Sequence, residues 1–147
     1  MSHEKAPGTE ILVVVSGSPD ADAPFLERLQ AAGYDIAQCK DPSFANKIVE
    51  SKPRGWSPAL FLVDVIIPKS SGFEIVRRII AAYGKLNIPV VMMSPYAMPE
   101  DVAEASSAGA AALLKKPVSP EMITAFLEQY RAKKTGASDL REGSPAR

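Results

Sequence analysis

Between residues 10 and 132 the chain switches five times from a short, apolar and largely β-branched run to a longer stretch whose apolar residues recur at helical spacing. The short runs are Ile11 to Val15, Tyr34 to Cys39, Ala59 to Asp64, Ile88 to Met93 and Ala111 to Lys115. Three of them are almost continuously apolar, as strands are when helices cover both faces of a parallel sheet. Parallel neighbours cannot be joined by a tight hairpin and need a crossover, which the intervening stretches are long enough to supply. The alternation therefore predicts an α/β fold: a doubly wound, five-stranded parallel sheet with right-handed connections, a (βα)5 arrangement.

The intervening stretches read as amphipathic helices. Phe25, Leu26, Leu29 and Ala32 form a first stripe, Phe44, Ile48 and Val49 a second, Val76, Ile79, Ile80 and Tyr83 a third, and Met122, Ile123, Phe126, Leu127 and Tyr130 a fifth. The fourth, Val102 to Ala108, is mostly Ala and Ser and should bury least. Ser18-Pro19, Asp41-Pro42 and Ser119-Pro120 each place a capping side chain before a proline at the first helical position, and Ser71 with Glu74 has the spacing of a capping box.

The 147 residues suit one domain, and one core is enough at that size. Residues 1–9 are polar and expected to be disordered, 10–132 form the domain, and 133–147, rich in Gly, Ser, Pro and charge, read as a disordered tail or the start of a linker. Basic and acidic residues balance at 17 each, so no overall field draws the protein to nucleic acid or to an anionic membrane. The apolar runs are too short to cross a bilayer, and the lone Cys39, expected to be a small buried residue, cannot close an internal disulfide. A soluble, cytoplasmic protein is the expectation.

In doubly wound sheets the ligand crevice lies beyond the carboxyl ends of the strands, where the strand order reverses. Those ends carry Ser16-Gly17-Ser18, Asp64, Ser94 and Lys116-Pro117. A carboxylate, a hydroxyl and an ammonium converging there suit phosphoryl chemistry, in which the protein mainly positions groups and neutralises charge. Asp64 would be the nucleophile, Lys116 the partner of a phosphoryl oxygen and Ser94 a hydrogen-bond donor.

These residues carry a resemblance. The stretch FLVDVIIPKSSGFEIVRRI resembles the third strand, acceptor loop and third helix of the response-regulator receiver (CheY-like) family, with Pro68 four and Gly72 eight residues after Asp64. Ser94 stands where that family has its switch Thr or Ser. Lys116-Pro117 stands at the family's Lys-Pro, in a segment GAAALLKKP. The resemblance covers about residues 10 to 131 and implies a non-enzymatic module of two-component signalling, phosphorylated on Asp64. The partners it implies are a histidine kinase or phosphotransfer protein, an output domain or protein, and a second copy of the chain.

Two departures qualify that implication. Where the family has an acidic pair that helps hold Mg²⁺, with the carbonyl here belonging to Ile66 as a further ligand, this chain has Ser16 and Gly17. Asp64 alone makes a feeble magnesium site, and losing the metal would slow phosphorylation by orders of magnitude. Asp20 and Asp22 are read as partners of the first helix's dipole, and Ser18 as its cap in preference to a phosphate-cradling loop. Leu113 takes the place of the family's switch Tyr or Phe, so that any surviving switch would use another element such as Tyr96. The expected function is thus a receiver accepting a phosphoryl group at Asp64 with weakened Mg²⁺ dependence. The alternative is a pseudo-receiver that docks constitutively through the fourth helical stretch, the fifth strand and the fifth helical stretch. A flavin or small-molecule enzyme on the same topology finds little support in these loops, which carry no site histidine to act as a base.

Overall fold

The structure, a computed structural model, describes residues 10–143, with side-chain surroundings described as far as residue 134. The expected disorder of residues 1–9 and of 144–147 falls outside that range. Five parallel strands form one sheet in the order β2-β1-β3-β4-β5: β1 (Ile11–Val15), β2 (Asp35–Gln38), β3 (Leu60–Asp64), β4 (Val90–Ser94) and β5 (Ala112–Lys115). The order reverses between β1 and β3, which places the crevice over Val15, Asp64 and their flanking loops.

Side chains of successive strand residues divide the core in two. Val13, Val15, Phe61, Val63 and Met92 face one layer with α2 (Gly72–Tyr83) and α3 (Pro99–Ala108). Leu12, Val14, Leu60, Leu62, Val91 and Met93 face the other, with α1 (Pro19–Ala31) and α4 (Pro120–Gly143). All of β1, β3 and β4 is buried, whereas β2 and β5, at the sheet edges, are only partly so. This is why the three central strands read as unbroken apolar runs and the edge strands do not.

Three local expectations need correction. The second helical stretch is not an α-helix but two 3₁₀ turns, Pro42–Lys47 and Val49–Ser51. The backbone leaves helical values at Phe44 (φ −111°, ψ 18°), and Phe44 turns outward, 57% exposed, while Ala45 is buried. Asp41-Pro42 and Pro53 leave too little chain between them for a helix to repay its nucleation. Secondly, α4 continues through Gly143, so the segment read as tail is helical over 133–143. Once nucleated by the buried Ile123 and Leu127, a helix extends at little cost through residues such as Ala, Lys and Leu.

Capping gives the third. Asp41 accepts from the Ser43 N–H (3.1 Å), Ser71 from the Phe73 N–H (3.2 Å) and Ser119 from the Met122 N–H (3.2 Å). Ser18 makes no side-chain cap, and Glu74 turns to Arg77 and Arg78 rather than back to its own helix start. The Ser18 backbone N–H donates instead to Ser16 Oγ (3.1 Å).

The start of α2 is pressed against the end of β3. A methyl group on Gly72 would lie 1.9 Å from the carbonyl oxygen of Asp64 and 2.8 Å from Val65 Cα. Backbone cannot yield as a side-chain tip does, so Gly72→Ala should cost about 2–3 kcal/mol in urea unfolding. Gly84→Ala, whose methyl would sit 3.4 Å from Ile80 Cγ2 on a backbone with φ −59°, should be neutral or slightly stabilising.

Candidate functional site

Asp64 ends β3 with its side chain 3% exposed, and Lys116 follows β5. Lys116 Nζ lies 2.9 Å from Asp64 Oδ1. That approach is an ion pair whose angles fall outside hydrogen-bond geometry, which leaves Oδ1 a buried oxygen with no hydrogen-bond partner. Oδ2 accepts a 2.6 Å hydrogen bond from the Gly17 backbone N–H. The structure thus brings Asp64, Lys116 and the segment after β1 together at one rim of the sheet.

Ser94 is on the same rim. It ends β4, beside Asp64 on one side and the Lys115–Lys116 end of β5 on the other, and Lys116 N–H donates to its carbonyl (2.9 Å). Ser94 is 1% exposed, and its hydroxyl accepts from the backbone N–H groups of Tyr96 (3.1 Å) and Ala97 (3.5 Å), which ties it to its own loop. Tyr96 is 63% exposed. Leu113 packs against the α2–α3 side of the core.

One member of the site was misread from sequence. Asp22, assigned to the helix dipole, is 6% exposed and takes part in the cluster. Lys116 Nζ donates to its Oδ1 (3.0 Å) and Oδ2 (3.3 Å), and Ser16 Oγ donates to Oδ2 (2.6 Å). The signal available was the i+3 and i+4 spacing of Asp22 from Phe25 and Leu26, which puts it on the buried stripe of α1, whereas Asp20 falls off that stripe and is exposed.

The three charges shift one another. Burial pushes the Asp64 carboxyl up from the ordinary carboxylate range, and Lys116 and the Gly17 N–H offset only part of that. At Asp22 burial acts the same way, but the Ser16 hydroxyl and Lys116 outweigh it and the net shift is downward. At Lys116 burial favours the neutral amine, yet pairing with Asp64 and then Asp22 dominates and holds the ammonium above the ordinary lysine range.

The resemblance implies Mg²⁺ here, and the residues present do not fit it. Asp64 Oδ2 is held by the Gly17 N–H and Oδ1 faces the Lys116 ammonium, Ser16 offers a hydroxyl already committed to Asp22, and Gly17 offers no side-chain ligand. The Ile66 carbonyl packs against Gly17, where a methyl group would lie 1.9 Å from its oxygen. Among the described residues no three His, Cys, Asp or Glu side chains gather to hold a metal, and none of the described helices is long and apolar enough to cross a membrane.

Similarity to known proteins agrees with this architecture. The response regulator receiver domain profile matches residues 12–128. Over 136 residues the chain is 27% identical to the phosphate regulon transcriptional regulatory protein PhoB of Pseudomonas aeruginosa, covering 90% of this chain and 55% of that protein. It is 32% identical over 105 residues to the gliding motility regulatory protein of Myxococcus xanthus, covering 71% and 13% respectively. The chain therefore spans about half the length, or less, of these curated relatives.

Among solved structures, the Vibrio cholerae chemotaxis protein CheY4 superposes with a TM-score of 0.71 at 24% identity, over 83% of this chain and 98% of that one. The receiver domain of a Pseudomonas aeruginosa sensor histidine kinase, which has magnesium coordinated in its active-site cleft, gives 0.69 at 20% identity over 84% and 98%. At these identities the two structures speak for the fold. The profile, running from β1 into α4 across the whole sheet, settles the family: the chain belongs to the response regulator receiver domains.

Proposed function

We propose that this receiver takes a phosphoryl group on Asp64 in two-component signalling, slowly and without a resident divalent metal, from a histidine kinase or phosphotransfer protein of the cytoplasm. The observation that carries the reading is the Asp64–Lys116 contact of 2.9 Å at the strand-end crevice. With Oδ2 anchored by the Gly17 N–H, Oδ1, which has the Lys116 ion pair but no hydrogen bond, is the oxygen that would attack phosphorus. The new P–O bond forms as the phosphorus–nitrogen bond of a phosphohistidine breaks, and the leaving imidazole nitrogen keeps the electron pair and takes a proton from solvent. Lys116 supplies the positive charge that the transferred oxygens need.

A second reading, the pseudo-receiver, is favoured by the contact of Ile66 with Gly17 and by the sharing of Lys116 with Asp22. Both contacts occupy the strand-end crevice around Asp64. In this reading the cluster is a fixed structural unit and the domain signals by docking alone, to an output domain, a partner protein or a second copy.

Melting with beryllium fluoride, a mimic of the aspartyl phosphate, separates the two. Acceptance at Asp64 predicts an upward shift on the order of 5 °C, abolished by Asp64→Ala and only modestly improved by added Mg²⁺. No shift at any metal concentration would sink the acceptor reading and leave the docking module.

The Lys116 pairing also sets a pH dependence. Its folded-state pKa lies above the ordinary lysine value of 10.5, so the stability it contributes is complete below that value and is lost as pH rises through the higher one. Lys116→Met should lower stability at pH 7 by about 2–4 kcal/mol, because two carboxylates lose their cation. The gap between wild type and variant, followed by urea unfolding, should hold steady from neutral pH to about pH 10 and close above it. A gap already closing near pH 8 would mean that Lys116 is not held as an ammonium between the acids.

A further inference from the structure

The family resemblance gives no role to a carboxylate at position 22, yet Asp22 makes three of the site's polar contacts. We infer that Asp22 is a positioning residue that pins the Lys116 ammonium over Asp64, so that the site carries its own cation; the inference rests on the receiver reading and deepens it.

Burial comes first. Asp22 is 6% exposed although Pro19, Asp20 and Ala21, its neighbours in the first turn of α1, are all exposed. A carboxylate serving only the helix dipole has no reason to leave water, and a buried one must be paired. Asp22 is paired on both sides, with Lys116 at 3.0 and 3.3 Å and with Ser16 Oγ at 2.6 Å.

The Ser16 hydroxyl fixes that geometry. Its oxygen accepts the Ser18 N–H, which leaves its single proton to be donated to Asp22. Ser18 in turn offers its carbonyl to the Asp22 N–H at 2.9 Å, closing the first turn around the carboxylate. The segment that lacks the family's acidic pair is therefore not empty of purpose: Ser16 orients Asp22, and Gly17 orients Asp64.

Lys116 needs a second anchor. It projects from beyond β5 and must reach past the end of β4 to meet Asp64 on β3. Its side chain is 24% exposed, next to a cavity of about 460 Å³ bordered by Ser18, Asp22, Phe25, Arg28 and Val118. Water in that cavity competes for the ammonium, and a flexible four-carbon stem held by one angled ion pair would swing out into it. Asp22, on α1 at the border of that same cavity, holds the ammonium against such an escape. The ammonium is then held where a transferred phosphoryl group would develop charge on its oxygens.

The test reads the lysine itself and not phosphoryl transfer, so failure of the acceptor reading and failure of this inference are distinct results. Hydrogen exchange of the Lys116 ammonium is measured by ¹⁵N NMR on the full chain, in wild type, Asp22→Asn, Asp64→Asn and Ser16→Ala, with the backbone spectrum confirming that each is folded. Exchange should speed up about tenfold or more in Asp22→Asn, the loss of a charge-assisted hydrogen bond. Ser16→Ala should move it the same way by less, and Asp64→Asn should leave a protected signal held by Asp22 alone. Should Asp22→Asn not fold, Ser16→Ala decides. Unchanged exchange in Asp22→Asn, or in Ser16→Ala where only that variant folds, or protection lost in Asp64→Asn but kept in Asp22→Asn, would overturn the inference.

Discussion

A carboxylate at the end of a buried strand has to be answered by positive charge or hydrogen bonds, and the crevice of this domain is organised around that requirement at Asp64. The answer comes from three places in the chain: the ammonium of Lys116 at 2.9 Å, the N–H of Gly17 at 2.6 Å, and, through the lysine, the second carboxylate of Asp22. None of these contacts is local in sequence. Each depends on the sheet order that brings the ends of β1, β3 and β5 within reach of one another. Fold and site are thus one problem, because a strand slipped by one residue would turn Asp64 into the opposite core layer.

The acceptor loop is clamped at both ends by the absence of a side chain. At its start the Asp64 carbonyl lies against Gly72, and further along the Ile66 carbonyl lies against Gly17; a methyl group at either glycine would come within 1.9 Å of the oxygen. The Gly72 N–H also donates to the Val65 carbonyl at 2.9 Å. Contact on these two sides fixes the loop over β1 and explains why the Gly17 N–H can reach Asp64 at all. A residue with a side chain at position 17 would hold the loop away from β1 and open the space between Ile66 and Asp64.

The sheet was largely legible in the sequence, because burial on both faces leaves an unmistakable mark on β1, β3 and β4. The same logic placed Asp64, Ser94 and Lys116 at strand ends. What failed did so for definable reasons. The second helical stretch had apolar spacing but too few residues between Asp41 and Pro53, and spacing alone does not report helix length. The end of α4 was hidden by a composition that reads as tail, since helix propagation depends on a preceding buried turn more than on the propagating residues. Asp22 was missed because an acidic residue in a first turn has a ready local explanation; its place on the stripe shared with Phe25 and Leu26 pointed inward, and that geometric cue outweighs the dipole.

Charge offers an account of why Ser16, Gly17 and Asp22 belong together. In the family pattern, two acids after the first strand and the acceptor aspartate carry three negative charges, balanced by a divalent metal and the lysine. Here Asp22 and Asp64 carry two against the single charge of Lys116. Without the acidic pair, Asp64 and Lys116 balance as a pair, and the carboxylate that α1 adds brings the cluster to one net negative charge. Burial, with a smaller push from Asp22, drives the Asp64 carboxyl upward, whereas at Asp22 burial is outweighed by the serine hydroxyl and the ammonium and the carboxyl is pushed downward. An acid restored at position 16 alone would add a second uncompensated charge at a site already closed by Ile66. The serine, the glycine and the aspartate of α1 are therefore linked through one cluster, in which Lys116 is the cation shared by both buried acids.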